Sequence, residues 1–195
     1  MSEGLLVVLS GPGGVGKDTL IGILLPRDGR LRYSVSYTTR PRREYEVDGE
    51  HYRFVDEPTF LRLAAEGELL EHAKVNGHRY GTSASSVEEA LREGLDVILK
   101  IDVQGAEQVR RRRPDALFIF ISPPSMEELL RRRVSRGAES PEEIQARQRL
   151  AEVEMGYASR YDHVVVNDHA ERAVAQIQDI LGAERRRRNE PARTG

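Results

Sequence analysis

Residues 11–17 read Gly-Pro-Gly-Gly-Val-Gly-Lys, a G-x-x-x-x-G-K pattern. Its chemistry is phosphate binding. Backbone N–H groups of a glycine loop that opens a helix converge on anionic oxygens. Gly11, Gly13, Gly14 and Gly16 allow close backbone approach, with Pro12 and Val15 between them. Lys17 adds a compact charge for β- and γ-phosphates. The ordinary alternative is a structural βα turn, and it does not account for Lys17 at the seventh position. A second set lies downstream. Arg40 and Arg43 are three apart, with Tyr52 and Tyr80 in the same stretch of chain. Two guanidinium forks and two phenols suit a phosphate dianion. The tyrosines alone would more simply be packing residues.

One position departs from the loop pattern. Asp18 follows Lys17, where Ser or Thr usually helps to hold Mg²⁺, and Thr19 comes next. A carboxylate is a hard Mg²⁺ ligand but repels a triphosphate. Asp18 is therefore expected to contact the metal, directly or through water, or to turn away while Thr19 supplies the hydroxyl.

The elements around these residues follow from pattern. Leu5–Leu9 is a continuous apolar run of strand length, as in a buried parallel strand, and a helix follows the loop. Residues 33–37, 96–102, 116–121 and 163–167 read as further strands. Helices are expected over 56–65, 86–92, 125–136, from Ser140 onward, and over 168–181. The capping pairs Ser86/Glu89, Ser125/Glu128 and Ser140/Glu143 support three starts, and Asp168/Glu171 a fourth. Asn76-Gly77 marks a turn among short strands in 68–82. Alternating strands and helices imply an α/β fold with a parallel sheet and helices on both faces. The polar, Tyr-rich stretch 33–83 interrupts that alternation as an inserted mixed α+β subdomain. The core is then 1–32, 84–125 and 160–183.

Composition narrows the class. The chain has 195 residues, 30 basic against 32 acidic, and a net charge of −2. Of the basic residues 27 are Arg and only three are Lys. Near-neutral charge argues against nucleic-acid binding. The absence of Cys excludes disulfides and Cys-ligated zinc, and the five His have no ligand spacing. No apolar run approaches the roughly 20 residues of a membrane span. The start, MSEGLLVVLSG, lacks a basic n-region, so a cytoplasmic protein is expected. Residues 184–195, with five Arg and two Glu, are expected to be a disordered basic tail.

Over roughly residues 4–183 the sequence resembles the guanylate kinases. The resemblance is carried by SGPGGVGKDTL (10–20), SVSYTTRPRREYEVDGEHYRFV (34–55), LLEHAKVNGHRYGTS (69–83), ILKIDVQGA (98–106), ISPPSMEELLRRRVSRG (121–137) and YDHVVVND (161–168). It implies a P-loop core, a GMP-binding subdomain at 33–83 and a helical lid at 126–159. It implies transfer of the ATP γ-phosphoryl group to GMP with Mg²⁺. Arg40, Arg43, Tyr52 and Tyr80 match its phosphate-binding positions, and Ser36, Glu71, Thr82 and Asp102 its guanine site. A carboxylate at Glu71 accepts from both guanine N1–H and the 2-amino group, whereas adenine would leave it unpaired, a discrimination worth about 10⁴-fold. Arg132, Arg136 and Arg147 match lid arginines, and Asn167 and Asp168 resemble residues lining the adenine end of the ATP site. Closure of the lid and acceptor segments is implied, because an open site would hydrolyse ATP.

Two further departures are visible. Lys100 stands where the family often has an acidic residue, and R-x-G-E becomes Arg43-Glu44-Tyr45-Glu46. The rival readings are a P-loop kinase for another small phosphorylated acceptor and a non-catalytic phosphopeptide-binding module. ATP and GMP are the expected partners, and the chain is expected to be a monomer or a homo-oligomer.

Overall fold

A computed structural model describes residues 3–75, 77–134 and 141–190, and for 133–134 and 141–147 the backbone alone. Strand β1 (Leu6–Ser10) is buried along its whole length, as its apolar run requires. The glycine loop follows, then helix α1 (Lys17–Arg27). Strands β2 (Leu31–Tyr33), β3 (Tyr37–Thr38) and β4 (Arg53–Phe54) are short. The single strand expected over 33–37 is thus divided, because Tyr33 ends one sheet strand and Tyr37 begins another in a different sheet.

Helix α2 (Glu57–Ala65) is capped by Asp56, whose carboxylate accepts from Thr59 N. Strands β5 (Leu69–Val75) and β6 (His78–Ser83) pair as an antiparallel hairpin around Gly77, which has φ 82°. Helix α3 (Ala84–Arg92) begins earlier than the expected cap. Ser83, not Ser86, is the N-cap, and its hydroxyl accepts from Ser86 N. Strand β7 (Asp96–Lys100) leads into helix α4 (Val103–Arg112), which the strand-and-turn pattern did not predict. The signal was present: Asp102 Oδ1 caps the helix at Gly105 N, and Val103, Ala106 and Val109 are its buried residues.

Strand β8 (Leu117–Ser122) precedes helices α5 (Met126–Val134) and α6 (Pro141–Met155). Ser125 caps α5 by accepting from Glu128 N. The expected stop at Gly137 and the Ser140 cap lie outside the described residues. After β9 (His163–Val166), helix α7 (Ala170–Asn189) closes the chain. Two expectations fail here. His169 precedes the helix without a side-chain cap, because Asp168 turns to His169 N and to Arg172. The helix also continues through Asn189, so 184–189 is not a disordered tail. The Arg run is held by ion pairs: Arg185 reaches Asp28 at 2.7 Å, and Arg187 and Arg188 reach Glu184.

A parallel five-stranded sheet has the order β2-β7-β1-β8-β9, and a four-stranded sheet the order β4-β3-β6-β5. The packing divides the chain into two compact units. One comprises Met1–Ser2, Leu9–Leu31 and Phe118–Gly195, and the other Glu3–Val8 and Arg32–Leu117. In the first, α1 and α7 pack together and bury Leu20, Leu24, Val174, Ile177 and Leu181. In the second, Leu91, Ile98, Leu99 and Val109 are buried, and Phe60, Leu63 and Leu69 form a smaller cluster between α2 and β5. No helix among the described residues is long and apolar enough to cross a membrane.

Candidate functional site

In the first unit the glycine loop is shaped by backbone that only glycine accommodates. Gly11 has φ 141°, and a Cβ there would sit 2.1 Å from Ile121 O. Gly16 has φ 103°, and a Cβ there would sit 2.5 Å from Asn167 Nδ2. Lys17 folds back over the loop and donates to Gly11 O at 2.5 Å and to Pro12 O at 3.2 Å. Its ammonium therefore sits at the loop's mouth, where phosphates would be cradled.

Asn167, which the resemblance implies at the adenine end, is bonded to the loop itself. Its buried amide donates to Val15 O at 2.8 Å and fixes the loop from within. Its N–H donates to Ser122 O at 2.8 Å, and its carbonyl accepts from Arg132 at 3.0 Å. Arg132 is held in turn by Glu128, whose Oε1 accepts from Arg132 Nε at 2.8 Å. Hydrogen bonds from Arg131, then Arg132, pull the Glu128 carboxyl down to about 2. Gly14, Gly16, Thr19, Arg132, Asn167 and Asp168 line one cleft of about 320 Å³. Arg136 lies outside the described residues, and of Arg147 only the helical backbone is described.

The donor set suits Mg²⁺ carried on a nucleotide. Thr19 brings a hydroxyl to the cleft, and Asp18 lies exposed in the first turn of α1. No group of three or more acidic, His or Cys side chains among the described residues makes a protein-only cage. A small hard cation held by one or two side chains plus phosphates needs no such cage.

In the second unit the predicted acceptor residues fall into two clusters. Glu71 and Thr82 face each other across the β5/β6 hairpin, and the Thr82 hydroxyl donates to Glu71 Oε1 at 2.7 Å. Glu71 is 3% exposed, and burial pushes its carboxyl up to about 7. The Thr82 hydrogen bond opposes that rise, and the Asp102 charge adds to it. Gly105, at the start of α4, was not foreseen as a site residue. A Cβ there would lie 2.4 Å from Glu71 Oε2 and 3.4 Å from Asp102 Oδ1. Glu71 and Asp102 therefore meet at Gly105, and Thr82 joins them through Glu71 Oε1. Ser36, the fourth, is buried beside β3, with its carbonyl accepting from Arg53 N.

The second cluster is cationic and aromatic. The Arg40 guanidinium lies 5.5 Å from the Tyr52 ring centroid, and the Tyr52 and Tyr80 rings meet edge to face at 5.9 Å. Buried Glu46 organises it. One oxygen accepts from Arg40 Nη2 at 2.6 Å and the other from Arg43 N at 2.8 Å. The hydrogen bond from Arg40 holds the Glu46 carboxyl below its usual range. The Arg43 guanidinium donates instead to the Tyr45 hydroxyl at 2.8 Å. Lys100 joins the cluster, with Nζ 5.6 Å from the Tyr52 ring and 5.6 Å from the Tyr33 ring.

Comparisons with known proteins agree with this geometry. Residues 3–184 match the family model described as guanylate kinase. A guanylate kinase of Thermus thermophilus is 54% identical over 185 residues, covering 95% of this chain and 84% of the relative. One from Alkalilimnicola ehrlichii is 49% identical over 190 residues, covering 96% and 94%. The crystal structure of guanylate kinase from Anaplasma phagocytophilum superposes with a TM-score of 0.78 at 38% identity, covering 94% of this chain and 87% of that one. The glycine loop with its lysine, the buried Glu71–Thr82 pair and these matches place the chain in the guanylate kinase family.

Proposed function

We propose that this chain transfers the γ-phosphoryl group of ATP to GMP, giving ADP and GDP. The observation that carries the reading is the buried Glu71–Thr82 pair beside Asp102 and Gly105. A carboxylate aimed from an apolar setting is matched by a ligand edge with adjacent N–H donors, and guanine has that edge. Pyrimidines and adenine do not present both donors there. An Arg–Tyr cluster in the same unit supplies the anion site that a nucleoside monophosphate needs.

The chemistry is displacement at phosphorus. A terminal oxygen of the GMP phosphate attacks the γ-phosphorus, the bond to the β,γ-bridging oxygen breaks, and that electron pair leaves on ADP. The attacking oxygen carries no proton at neutral pH, so no general base is needed. Catalysis is positioning plus neutralisation of charge on the transferring group. Lys17 and the loop N–H groups hold the β- and γ-phosphates, and Arg132, with Arg136 and Arg147, approaches the transferring group. Arg40, Arg43, Tyr52 and Tyr80 hold the acceptor phosphate, and Ser36, Glu71, Thr82 and Asp102 the base. Asp18 and Thr19 are the residues that would hold Mg²⁺, which when bound neutralises charge on the β- and γ-phosphates. Asn167 keeps the loop in shape and borders the adenine end.

A coupled assay of ADP release with GMP, AMP, CMP and UMP tests the reading. Turnover confined to GMP supports it. No GMP-dependent turnover, with phosphopeptide binding intact, favours a non-catalytic module. A cytoplasmic location, with no membrane or nucleic-acid partner, belongs to the same proposal. So does a monomeric or homo-oligomeric state.

A further inference from the structure

We propose that Arg112 and Gln108 of α4 are positioning residues for guanine recognition: they hold the bulge in β5 that sets Glu71 opposite Thr82. This rests on the guanylate kinase reading of the acceptor site. The β5/β6 pairing changes register at one point. Leu69 lies opposite Ser83 and Glu71 opposite Thr82, so Leu70 is an extra residue in β5. Had the Leu69–Ser83 register continued, Leu70 would face Thr82. A bulge re-aims the side chain beside it, and a one-residue slip turns a strand's side chains to the opposite face. The Thr82 hydroxyl, which meets Glu71 Oε1 at 2.7 Å, would then be left facing a leucine.

Helix α4 grips this edge strand on both sides of Glu71. Arg112 Nη1 donates to Leu69 O at 2.7 Å and to Leu70 O at 2.8 Å, the two carbonyls of the bulge. Gln108 exchanges two bonds with His72: its Nε2 donates to His72 O at 2.7 Å, and its Oε1 accepts from His72 N at 3.2 Å. Gly105, Gln108 and Arg112 follow the spacing i, i+3, i+7, so they share one face of the helix. Gly105 lies under the Glu71 carboxylate, and the other two fix the backbone before and after it. A charged donor suits the bulge, because charge-assisted hydrogen bonds are roughly twice as strong as neutral ones. A purely structural role predicts something else: losing these bonds would loosen the hairpin and lower stability without changing which base is read.

The test uses the full-length protein with Arg112→Met, which keeps an unbranched stem, with Arg112→Lys and with Gln108→Met. Steady-state kinetics with GMP and with IMP, whose base lacks the 2-amino group of guanine, read the base contact. Arg112→Met should raise the KM for GMP about tenfold and leave the KM for ATP within about twofold. Its preference for GMP over IMP should fall at least about threefold. Gln108→Met should move the same quantities in the same direction. Arg112→Lys, which can still donate to a carbonyl, should recover most of the loss. A double-mutant cycle decides whether the effect runs through Glu71. In a Glu71→Gln background, Arg112→Met should raise the KM for GMP by no more than about twofold, because the carboxylate it aims is gone. Equal losses in both backgrounds, an unchanged GMP-to-IMP ratio in Arg112→Met, or a lowered Tm with unchanged GMP kinetics overturns the proposal and leaves the enzyme reading standing. A wild-type chain that neither binds nor phosphorylates GMP overturns the enzyme reading, and this proposal with it.

Discussion

Glu71→Gln should make the protein more stable above neutral pH while it damages GMP use. The change is isosteric, and the glutamine carbonyl can still accept from Thr82, so packing is retained. The stability argument starts from the carboxyl, which burial raises from 4.5 to about 7. A raised acid is favoured in its neutral form when folded. Below about pH 4.5 the group is neutral in both states and contributes nothing to the difference. Between 4.5 and 7 the unfolded chain ionises while the folded one holds its proton, so stability falls as pH rises. Above 7 the folded protein carries a buried carboxylate, and the deficit reaches its limit. At 1.36 kcal/mol per unit that limit is about 3 kcal/mol. Glutamine removes the penalty. Glu71→Gln should therefore raise Tm at pH 8 by about 6–12 °C, since a chain of this size shifts about 2–4 °C per kcal/mol. The gain should shrink steadily and vanish near pH 4.5. Activity moves the other way. One guanine N–H would face an amide N–H₂, so a charge-assisted hydrogen bond is lost and two donors are opposed. A loss of about 2–4 kcal/mol corresponds to about 30- to 1000-fold in kcat/KM for GMP. Calorimetric melting from pH 4.5 to 8.5, with steady-state kinetics, measures both. A variant less stable than wild type at pH 8, or a gain independent of pH, would refute the burial argument.

Three other perturbations probe the same two units. Gly105→Ala places a methyl group 2.4 Å from Glu71 Oε2; it should cost about 1–3 kcal/mol of stability and raise the KM for GMP more than that for ATP, as melting and kinetics will show. Asn167→Ala leaves Val15 O unsatisfied in the loop; a loss of about 1–3 kcal/mol and a raised KM for ATP are expected, with GMP binding by calorimetry unchanged. Asp18→Ser should alter the Mg²⁺ concentration needed for half-maximal rate, and an unchanged Mg²⁺ profile would remove Asp18 from the metal site.

The parts legible from sequence were those written in short segments. The glycine loop, its lysine and the flanking strand lie within a dozen residues, and their conformation follows from local chemistry. Glu71 and Thr82 were assigned separately, but the β5/β6 hairpin around Gly77 makes them direct cross-strand partners. What stayed hidden depends on chain segments far apart. Gly105 matters because α4 starts against Glu71, and α4 itself was missed because a Gly within Asp102–Ala106 weakens the helical pattern. Glu46 was noted only as the last residue of Arg43-Glu44-Tyr45-Glu46, yet it accepts from both arginines of the anion site. The length of α7 was misjudged for a related reason. An Arg run reads as solvated chain, and only Asp28, far away in sequence, and Glu184 show where those arginines anchor. The Arg43–Tyr45 contact likewise belongs to a loop whose usual glycine is absent.

The bonds of Asn167 have a consequence for how the molecule is made. The loop is synthesised within the first tenth of the chain, but its Val15 carbonyl is secured by a side chain that emerges more than 150 residues later. The same late residue ties to Ser122 and to Arg132. Closing so distant a contact carries an entropic cost that local helices do not face. A nascent chain released before β9 therefore holds every glycine of the loop but lacks the side chain that secures Val15 O. The shape of the loop is thereby tied to the docking of the segment that follows β9.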